Sequence, residues 1–276
     1  MSSTSTRTVV VTGASSGIGR ATAAAFAARG HKVIGTSRNP DTIPEADRVP
    51  GIEYRALDLT DRASIAHFVN GLGVNELGAV DVLINNAGES QAGPLAELPG
   101  EAVERLFQLN VFGAVALTQA VLPGMRERGY GRIVMIGSML GSFPMPYRSS
   151  YVATKAALRE FATAARFEES PFGVWLTTVE PGQIDTGLRE RRTKYLNEGS
   201  PHTADFTKFM AVLDDKQAKG ITPERVARTI VAAAEADRPG PLYAVGSNAP
   251  VLFAVKRLLP RTILERIIAA SYGLRR

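Results

Sequence analysis

The sequence predicts an α/β fold: a doubly wound, seven-stranded parallel sheet with helices on both faces, in a single domain over residues 1–276. Three observations carry the prediction. Val/Ile-rich runs of strand length alternate with Ala-rich, helix-forming stretches. The first run passes through a glycine-rich turn straight into a helical segment. Four of the runs end in turns containing Gly, Asn, Ser or Pro, and in an open parallel sheet such carboxyl ends share one edge, where ligands bind.

In chain order, residues 8–12 (Thr-Val-Val-Val-Thr) are β-branched and read as the first strand. The run ends in Gly13-Ala14-Ser15-Ser16-Gly17-Ile18-Gly19, and a helix is expected over 20–29 with Gly30 as its stop. Strand, glycine turn and helix make the context a phosphate loop requires. Gly13 permits the tight turn, Gly17 lets the backbone approach a pyrophosphate, and Gly19 lets helix and strand pack closely, with the helix N-terminus facing the anion. The GxxxGxG spacing differs from the commoner GxGxxG, and alone it would suit a simple tight connection equally well. The second strand, Lys32 to Ser37, is followed by Arg38, where dinucleotide folds place the acid that holds a ribose. A guanidinium there suits a 2′-phosphate, so Arg38 points to NADP(H) over NAD(H); a solvated loop arginine is the other reading.

Residues 52–57 are the third expected strand, ending at Asp58-Leu59, and 60–71 shows helical periodicity with Thr60 as a cap. Val80 to Ile84 is a near-continuous apolar strand, buried on both faces. It runs into Asn85-Asn86-Ala87-Gly88, which suits a ligand crevice and an ordinary turn alike. A long helix is expected over 101–122, with Pro123-Gly124 just beyond. Asn110 lies within it, and so mediocre a helix former needs a reason there, either a local kink or polar work. Residues 132–136 are the fifth strand, ending in Gly137-Ser138; a helix follows over 150–167. Residues 174–179 are the sixth strand, leading to Pro181-Gly182 and Ile184-Asp185-Thr186. Thr222-Pro223 starts a helix that should reach Asp237, and 242–245 is the seventh strand.

Composition bounds the chemistry. A chain of 276 residues with 45% hydrophobic content can bury a substantial core. The absence of cysteine removes disulfides, thiolate metal sites and cysteine nucleophiles, and agrees with a cytoplasmic setting. His31, His67 and His202 lie far apart, which leaves metal chemistry and a His-based triad poorly supported. The net charge of +5 suits an anionic cofactor; without a recognised motif or long basic tract it offers nothing for nucleic acid. The polar N-terminus lacks the apolar run of a signal peptide and reads as a frayed end, and no stretch reads as the ~20 apolar residues of a membrane span.

The chemistry centres on Tyr151 and Lys155, four residues apart and so on one face of the helix over 150–167. An ammonium beside a phenol favours the phenolate, which lets the tyrosine give or take a proton. A half-buried ring and a solvated lysine would share that spacing, so the surrounding motifs decide between the readings.

Taken in order, Thr12 to Gly19, Asp58-Leu59, Asn85 to Gly88, Asn110, Ser138, Tyr151 with Lys155, and Pro181-Gly182 resemble the classical short-chain dehydrogenase/reductase family over residues 8–186. The C-terminal extension resembles those of 17β-hydroxysteroid dehydrogenase-like and retinol dehydrogenase-like members. The resemblance implies a Rossmann-like fold, a nicotinamide cofactor, and a homodimer or homotetramer. It implies Tyr151 as general acid/base, Lys155 as its activator and a holder of the nicotinamide ribose, Ser138 as a hydrogen-bond partner of the substrate oxygen, and Asn110 as support for a water relay to Lys155. Hydride transfer makes or consumes an alkoxide, and a positioned phenol removes that charge as it forms. The implied cofactor contacts are Gly13, Ser15, Ser16, Gly17, Ile18 and Gly19 at the pyrophosphate, and Ser37, Arg38, Asp58, Leu59, Asn86, Ala87 and Gly88 toward adenosine. Pro181, Gly182, Ile184 and Thr186 fall toward the nicotinamide.

Residues 187–220 turn polar and irregular, an insertion expected to act as a substrate lid. Arg189, Arg191, Arg192 and Lys194 would suit an acidic substrate, although a solvated helix face is the better reading. Phe206, Phe209, Met210 and Leu213 recur at helical spacing, which suits a pocket roof and ordinary packing alike. Residues 249–276 are apolar with interleaved Lys and Arg and are broken by Pro260 into two short helices. Docking on the protein's own pocket or on a partner subunit is favoured there over peripheral membrane contact. The expected function is NADP(H)-dependent interconversion of a secondary alcohol and a ketone or aldehyde on a lipophilic small molecule, steroid-, retinoid- or polyketide-like. A cofactor-sensing regulatory protein with weak turnover is the second reading, and the complete Asn110, Ser138, Tyr151, Lys155 set argues against it.

Overall fold

A computed structural model of the protein describes residues 6–72, 80–187 and 190–274. Its strands are β1 (Thr8–Val11), β2 (Lys32–Ser37), β3 (Ile52–Ala56), β4 (Val80–Asn85), β5 (Gln91–Ala92), β6 (Gly131–Ile136), β7 (Val174–Pro181), β8 (Thr193–Lys194) and β9 (Leu242–Val245). Seven of them form one parallel sheet in the order β3-β2-β1-β4-β6-β7-β9, and all seven strands expected from the sequence are in it. The short β5 and β8 make a separate parallel pair, Gln91 opposite Thr193 and Ala92 opposite Lys194. The chain winds outward from β1 to β3, crosses back to β4 and winds outward the other way. The carboxyl ends of β1 and β4 therefore flank the switch point at which doubly wound sheets open a crevice.

The helices are α1 (Gly17–Ala27), α2 (Arg62–Gly71), α3 (Gly100–Phe107), α4 (Gly113–Glu127), α5 (Met139–Ser142), α6 (Ser149–Glu169), α7 (Thr203–Ala218), α8 (Pro223–Glu235), α9 (Ala249–Leu258) and α10 (Arg261–Ser271). Alternation along the strands sorts the core into two layers. Val9, Val11, Val82 and Val134 meet Ala23 and Phe26 of α1 and Val226 and Ile230 of α8. Val10, Leu83, Ile133 and Leu176 meet Phe68 of α2, Leu117 and Val121 of α4 and Leu158 of α6 on the other face.

Three local expectations are corrected. Helix α1 starts at Gly17, inside the glycine turn, so the loop's last residues already belong to the first helical turn. Helix α2 is capped by Asp61, whose Oδ1 accepts from the Ala63 amide at 2.8 Å, while Thr60 donates its hydroxyl to Asp58 at 2.6 Å. The long helix expected to stop before Pro123 continues to Glu127. Met125, fully buried, holds that last turn on the sheet, and Gly131 makes room for it: a Cβ there would stand 2.5 Å from the Met125 sulfur. The helical run Gly100–Glu127 is long and apolar enough to cross a membrane by length and composition alone, contrary to the sequence expectation. Its apolar residues Leu109, Leu117 and Val121 instead fill the core against the sheet.

Glu180, fully buried at the end of β7, accepts from Ser142 Oγ at 2.7 Å and from Arg159 Nη1 at 3.4 Å. Burial raises its carboxyl above the ordinary glutamate value of 4.5, against the pull of Ser142 and Arg159. An acid raised on folding binds its proton more tightly in the native state. Its stabilisation is complete below the unfolded value and fades as pH rises through the folded value. Glu180→Gln keeps the bond from Ser142 without the buried charge. Thermal melts should show it more stable than the native protein by about 1 kcal/mol at pH 8, with the two converging near pH 4.

Candidate active site

A cavity of about 1030 Å3 opens along the carboxyl edge of the sheet. It runs from the Gly13–Ile18 turn, past Ser138 and Tyr151, to the C-terminal helices. Of the predicted site residues, all line it except Gly19 and Asn110, which lie behind its wall.

At one end the glycine turn is shaped by backbone demands. Gly13 (φ +66°) and Gly17 (φ +54°) occupy the left-handed region that other residues avoid. Gly19 works by contact instead: a Cβ there would lie 2.1 Å from the Gly13 carbonyl oxygen and 2.5 Å from Asn86 Nδ2. Asn86 is the clamp between the turn and β4. Its Nδ2 donates to the carbonyls of Thr12 (2.8 Å) and Gly13 (3.3 Å), and Thr12 Oγ1 accepts from the amides of Asn86 and Ala87, both at 2.9 Å. The Asn86 side chain expected beside adenosine is thus engaged with the loop backbone.

Ser37, Arg38, Asp58 and Leu59 form the next stretch of wall. Arg38 is largely exposed and reaches Glu89 at 3.5 Å, a carboxylate that also takes Arg105 Nη2 at 2.7 Å. Burial, the largest single influence on Asp58, raises its carboxyl. Hydrogen bonds from Thr60 and the charges of Arg38 and Arg105 together outweigh burial and hold it below the ordinary value. Arg191 of the predicted lid donates to Ser16 Oγ at 3.2 Å, which adds a guanidinium to the glycine turn. Such an arrangement of backbone amides and cations suits a phosphorylated ligand.

The central wall comes from three elements that meet at one point. Helix α6 supplies Tyr151 and Lys155, both buried. Lys155 Nζ donates to the Ile136 carbonyl at 2.8 Å and stands 5.8 Å from the centre of the Tyr151 ring. Burial holds its ammonium below the ordinary lysine range, with Tyr151 pulling the other way. Ser138 leaves β6 as the cap of α5; its Oγ accepts from the Leu140 amide at 3.2 Å, which leaves its O–H available to donate. Asn110 sits in a single π turn, Gln108–Phe112, that joins α3 to α4. Its Oδ1 accepts from the Glu89 amide at 2.9 Å, and its Nδ2 donates to the Glu89 carbonyl at 3.0 Å and to Thr154 Oγ1 at 3.2 Å. Of the local kink and the polar work offered as alternatives by the sequence, the polar work is present, and it sits in a π turn. Gly88 closes the join: a Cβ there would lie 3.0 Å from Asn110 Oδ1 and 3.6 Å from Lys155 Nζ.

The far end is apolar, with Met139, Phe143, Leu252, Val255, Leu264 and Ile268 on its wall. Helices α9 and α10 therefore dock on the protein's own cavity, as the break at Pro260 suggests. The segment 190–220 folds back differently from its charge pattern. Arg192 is buried and pairs with Asp214 at 2.8 Å and with Gln217, and Lys194 stands 3.7 Å from the same carboxylate. The solvated face expected for these residues fails at Arg192; Arg189 lies outside the described residues. Phe206, Phe209, Met210 and Leu213 pack with Tyr147, Ala269 and Tyr272, and of the four only Leu213 reaches the cavity. Sequence reasoning missed Arg148, which lies on the cavity wall with its guanidinium carbon 4.6 Å from the Tyr151 ring centre. Its place just before a helix reads as a solvated cap. Among the described residues no group of His, Asp and Glu is arranged to hold a metal.

Glycine turn, tyrosine–lysine pair and serine on one cavity are matched by a family comparison: the short chain dehydrogenase profile covers residues 7–197. The chain belongs to the short-chain dehydrogenase family. Among relatives of this short-chain dehydrogenase is 3-ketodihydrosphingosine reductase of Bacteroides thetaiotaomicron, 30% identical over 97% of this chain and 98% of the relative. A short-chain dehydrogenase from Streptomyces avermitilis superposes with a TM-score of 0.81 at 34% identity, covering 96% of this chain and 98% of that one. A short-chain dehydrogenase from Sphingobium yanoikuyae in complex with NADPH gives 0.73 at 27% identity, covering 91% and 93%. The family's oxidoreductase chemistry and nicotinamide cofactor come with membership.

Proposed function

We propose that this protein is an NADP(H)-dependent oxidoreductase that interconverts a secondary alcohol and a ketone or aldehyde on a lipophilic small molecule. The observation that carries the reading is the placement of Ser138 and Tyr151 midway along one cavity, between the glycine turn and an apolar wall. The turn, with its left-handed glycines and the nearby Arg38, Arg105 and Arg191, fits a dinucleotide phosphate chain. When bound, the cofactor supplies or accepts the hydride. The protein's own residues manage the oxygen. Ser138 donates a hydrogen bond to the carbonyl, and Tyr151 gives it a proton as charge develops or takes that proton from the alcohol. Lys155, kept in line by the Ile136 carbonyl, holds its ammonium beside the Tyr151 ring. Asn110 holds Glu89, and so the Gly88 backbone, against Lys155 and thereby keeps the proton path in register.

The preference for NADP(H) is supported by Arg38 and Ser37 at the end of β2, where an arginine and not a carboxylate comes directly after the strand, and by the NADPH complex of the Sphingobium relative. The lipophilic substrate is supported by the apolar far wall and by the name of the Bacteroides relative. Phe112 and Phe161 remain exposed on neighbouring helical segments, an apolar surface that suits a homodimer or homotetramer. The test is oxidation of NADPH across a panel of long-chain ketones, repeated with NADH. Arg38→Asp is expected to raise the KM for NADPH by about 10-fold or more and to leave that for NADH equal or lower. Equal KM values for the two cofactors in the native protein would sink the assignment of Arg38.

A further inference from the structure

We propose that Arg148 determines specificity by binding a carboxylate of the substrate close to the reacting carbonyl. The preferred substrates are then oxo- and hydroxy-carboxylates with an apolar tail. The proposal deepens the alcohol–ketone reading of the same cavity and rests on it.

Arg148 is aimed inward by an unusual piece of backbone. Tyr147, immediately before it, has φ +59°, a region that bulky side chains rarely enter. The Tyr147 ring is held there edge-on against Phe206, with centroids 5.4 Å apart. The turn delivers Arg148, a residue 2% exposed, onto the cavity wall with its guanidinium beside the Tyr151 ring. Among the described residues only one of its nitrogens is engaged: Nη2 donates to Ser90 Oγ at 2.9 Å, whereas Nε and Nη1 are buried with no partner there.

A buried cation with open donors is costly unless an opposite charge meets it. Among the described residues no carboxylate forms an ion pair with Arg148. The acid in its neighbourhood, Asp214, is taken by Arg192 and Lys194, and Arg192 adds like charge beside it. The missing counter-charge is therefore expected from the ligand. A carboxylate is planar, carries one negative charge and accepts several N–H bonds; one uncompensated guanidinium matches it better than it matches a phosphate dianion. Contact with the Tyr151 ring limits the reach of the site. A group held by Arg148 must sit within a few bonds of the carbon whose oxygen meets Tyr151. The apolar wall of α9 and α10 takes the tail. The carboxylate is bound and not transformed.

The test uses 3-oxooctanoate, its methyl ester and heptan-2-one with NADPH. In the native protein kcat/KM for the acid should exceed that for the ester by about 30-fold or more. In Arg148→Met the ratio should fall to within about 3-fold, and Arg148→Lys should retain part of it. Equal use of acid and ester by the native protein would overturn the proposal. A parallel loss on both substrates in Arg148→Met would do the same, since it would reduce Arg148 to a support for Tyr151. If none of the three compounds is reduced, the alcohol–ketone reading fails for this chain length, and binding still decides the carboxylate site. Thermal stabilisation of the native protein by 3-hydroxyoctanoate, but not by its methyl ester, supports it; equal shifts overturn it.

Discussion

Tyr151→Phe is expected to lower kcat for ketone reduction by NADPH on the order of 100- to 10,000-fold, the range in which a positioned general acid contributes. The substitution removes one oxygen and keeps the ring, so the contacts of Tyr151 with Arg148 and Lys155 survive. NADPH binding, followed by fluorescence, and the melting temperature should therefore stay close to native. That separation of rate from binding is the diagnostic. Undiminished turnover would remove Tyr151 from the chemistry. A native protein that binds NADPH but turns over no ketone would instead favour a cofactor sensor.

Gly19→Ala should cripple the same protein by another route. The new methyl group would stand 2.1 Å from the Gly13 carbonyl oxygen, a backbone atom with no rotamer to escape through. Strain of this kind costs about 1–3 kcal/mol when a core can adjust. Here the adjustment must come from the turn that shapes the cavity's phosphate end. NADPH affinity is expected to fall by about 100-fold, alongside a stability loss of about 3 kcal/mol read from denaturant unfolding. Gly100→Ala, in open space at the start of α3, is the matched control and should be neutral or stabilising by up to about 1 kcal/mol. A Gly19→Ala protein that unfolds and binds like the control would show that close packing at this position is dispensable.

The fold was legible because its information is local. Most strands of the large sheet are short β-branched or apolar runs, and each active-edge turn carries a residue type that few other contexts require. The Tyr151 and Lys155 pair needs only helical spacing to be seen, and Asn110 could be recognised as anomalous before its surroundings were known. Long-range partners stayed hidden. Helix α4 outlasts Pro123 because Met125 finds a space left by Gly131, a relation that periodicity does not carry. The lid cations look alike in sequence, yet Arg192 is buried on Asp214 while Arg191 reaches Ser16. Arg148 reads as a cap because its inward aim depends on the backbone of Tyr147 and on aromatic packing from α7.

The π turn at Gln108–Phe112 has a bearing on how this helix can vary in length. An α-helix advances about 100° per residue, and the wide turn absorbs one residue without advancing the helix in the usual phase. Within the turn, that surplus sets where the Asn110 amide meets Glu89; downstream, it sets which face presents Leu117 and Val121 to the sheet. Losing one residue here would leave one of the two faces rotated away. The catalytic wall and the hydrophobic core thus share a single residue count, and insertions or deletions in 100–127 are constrained by both at once.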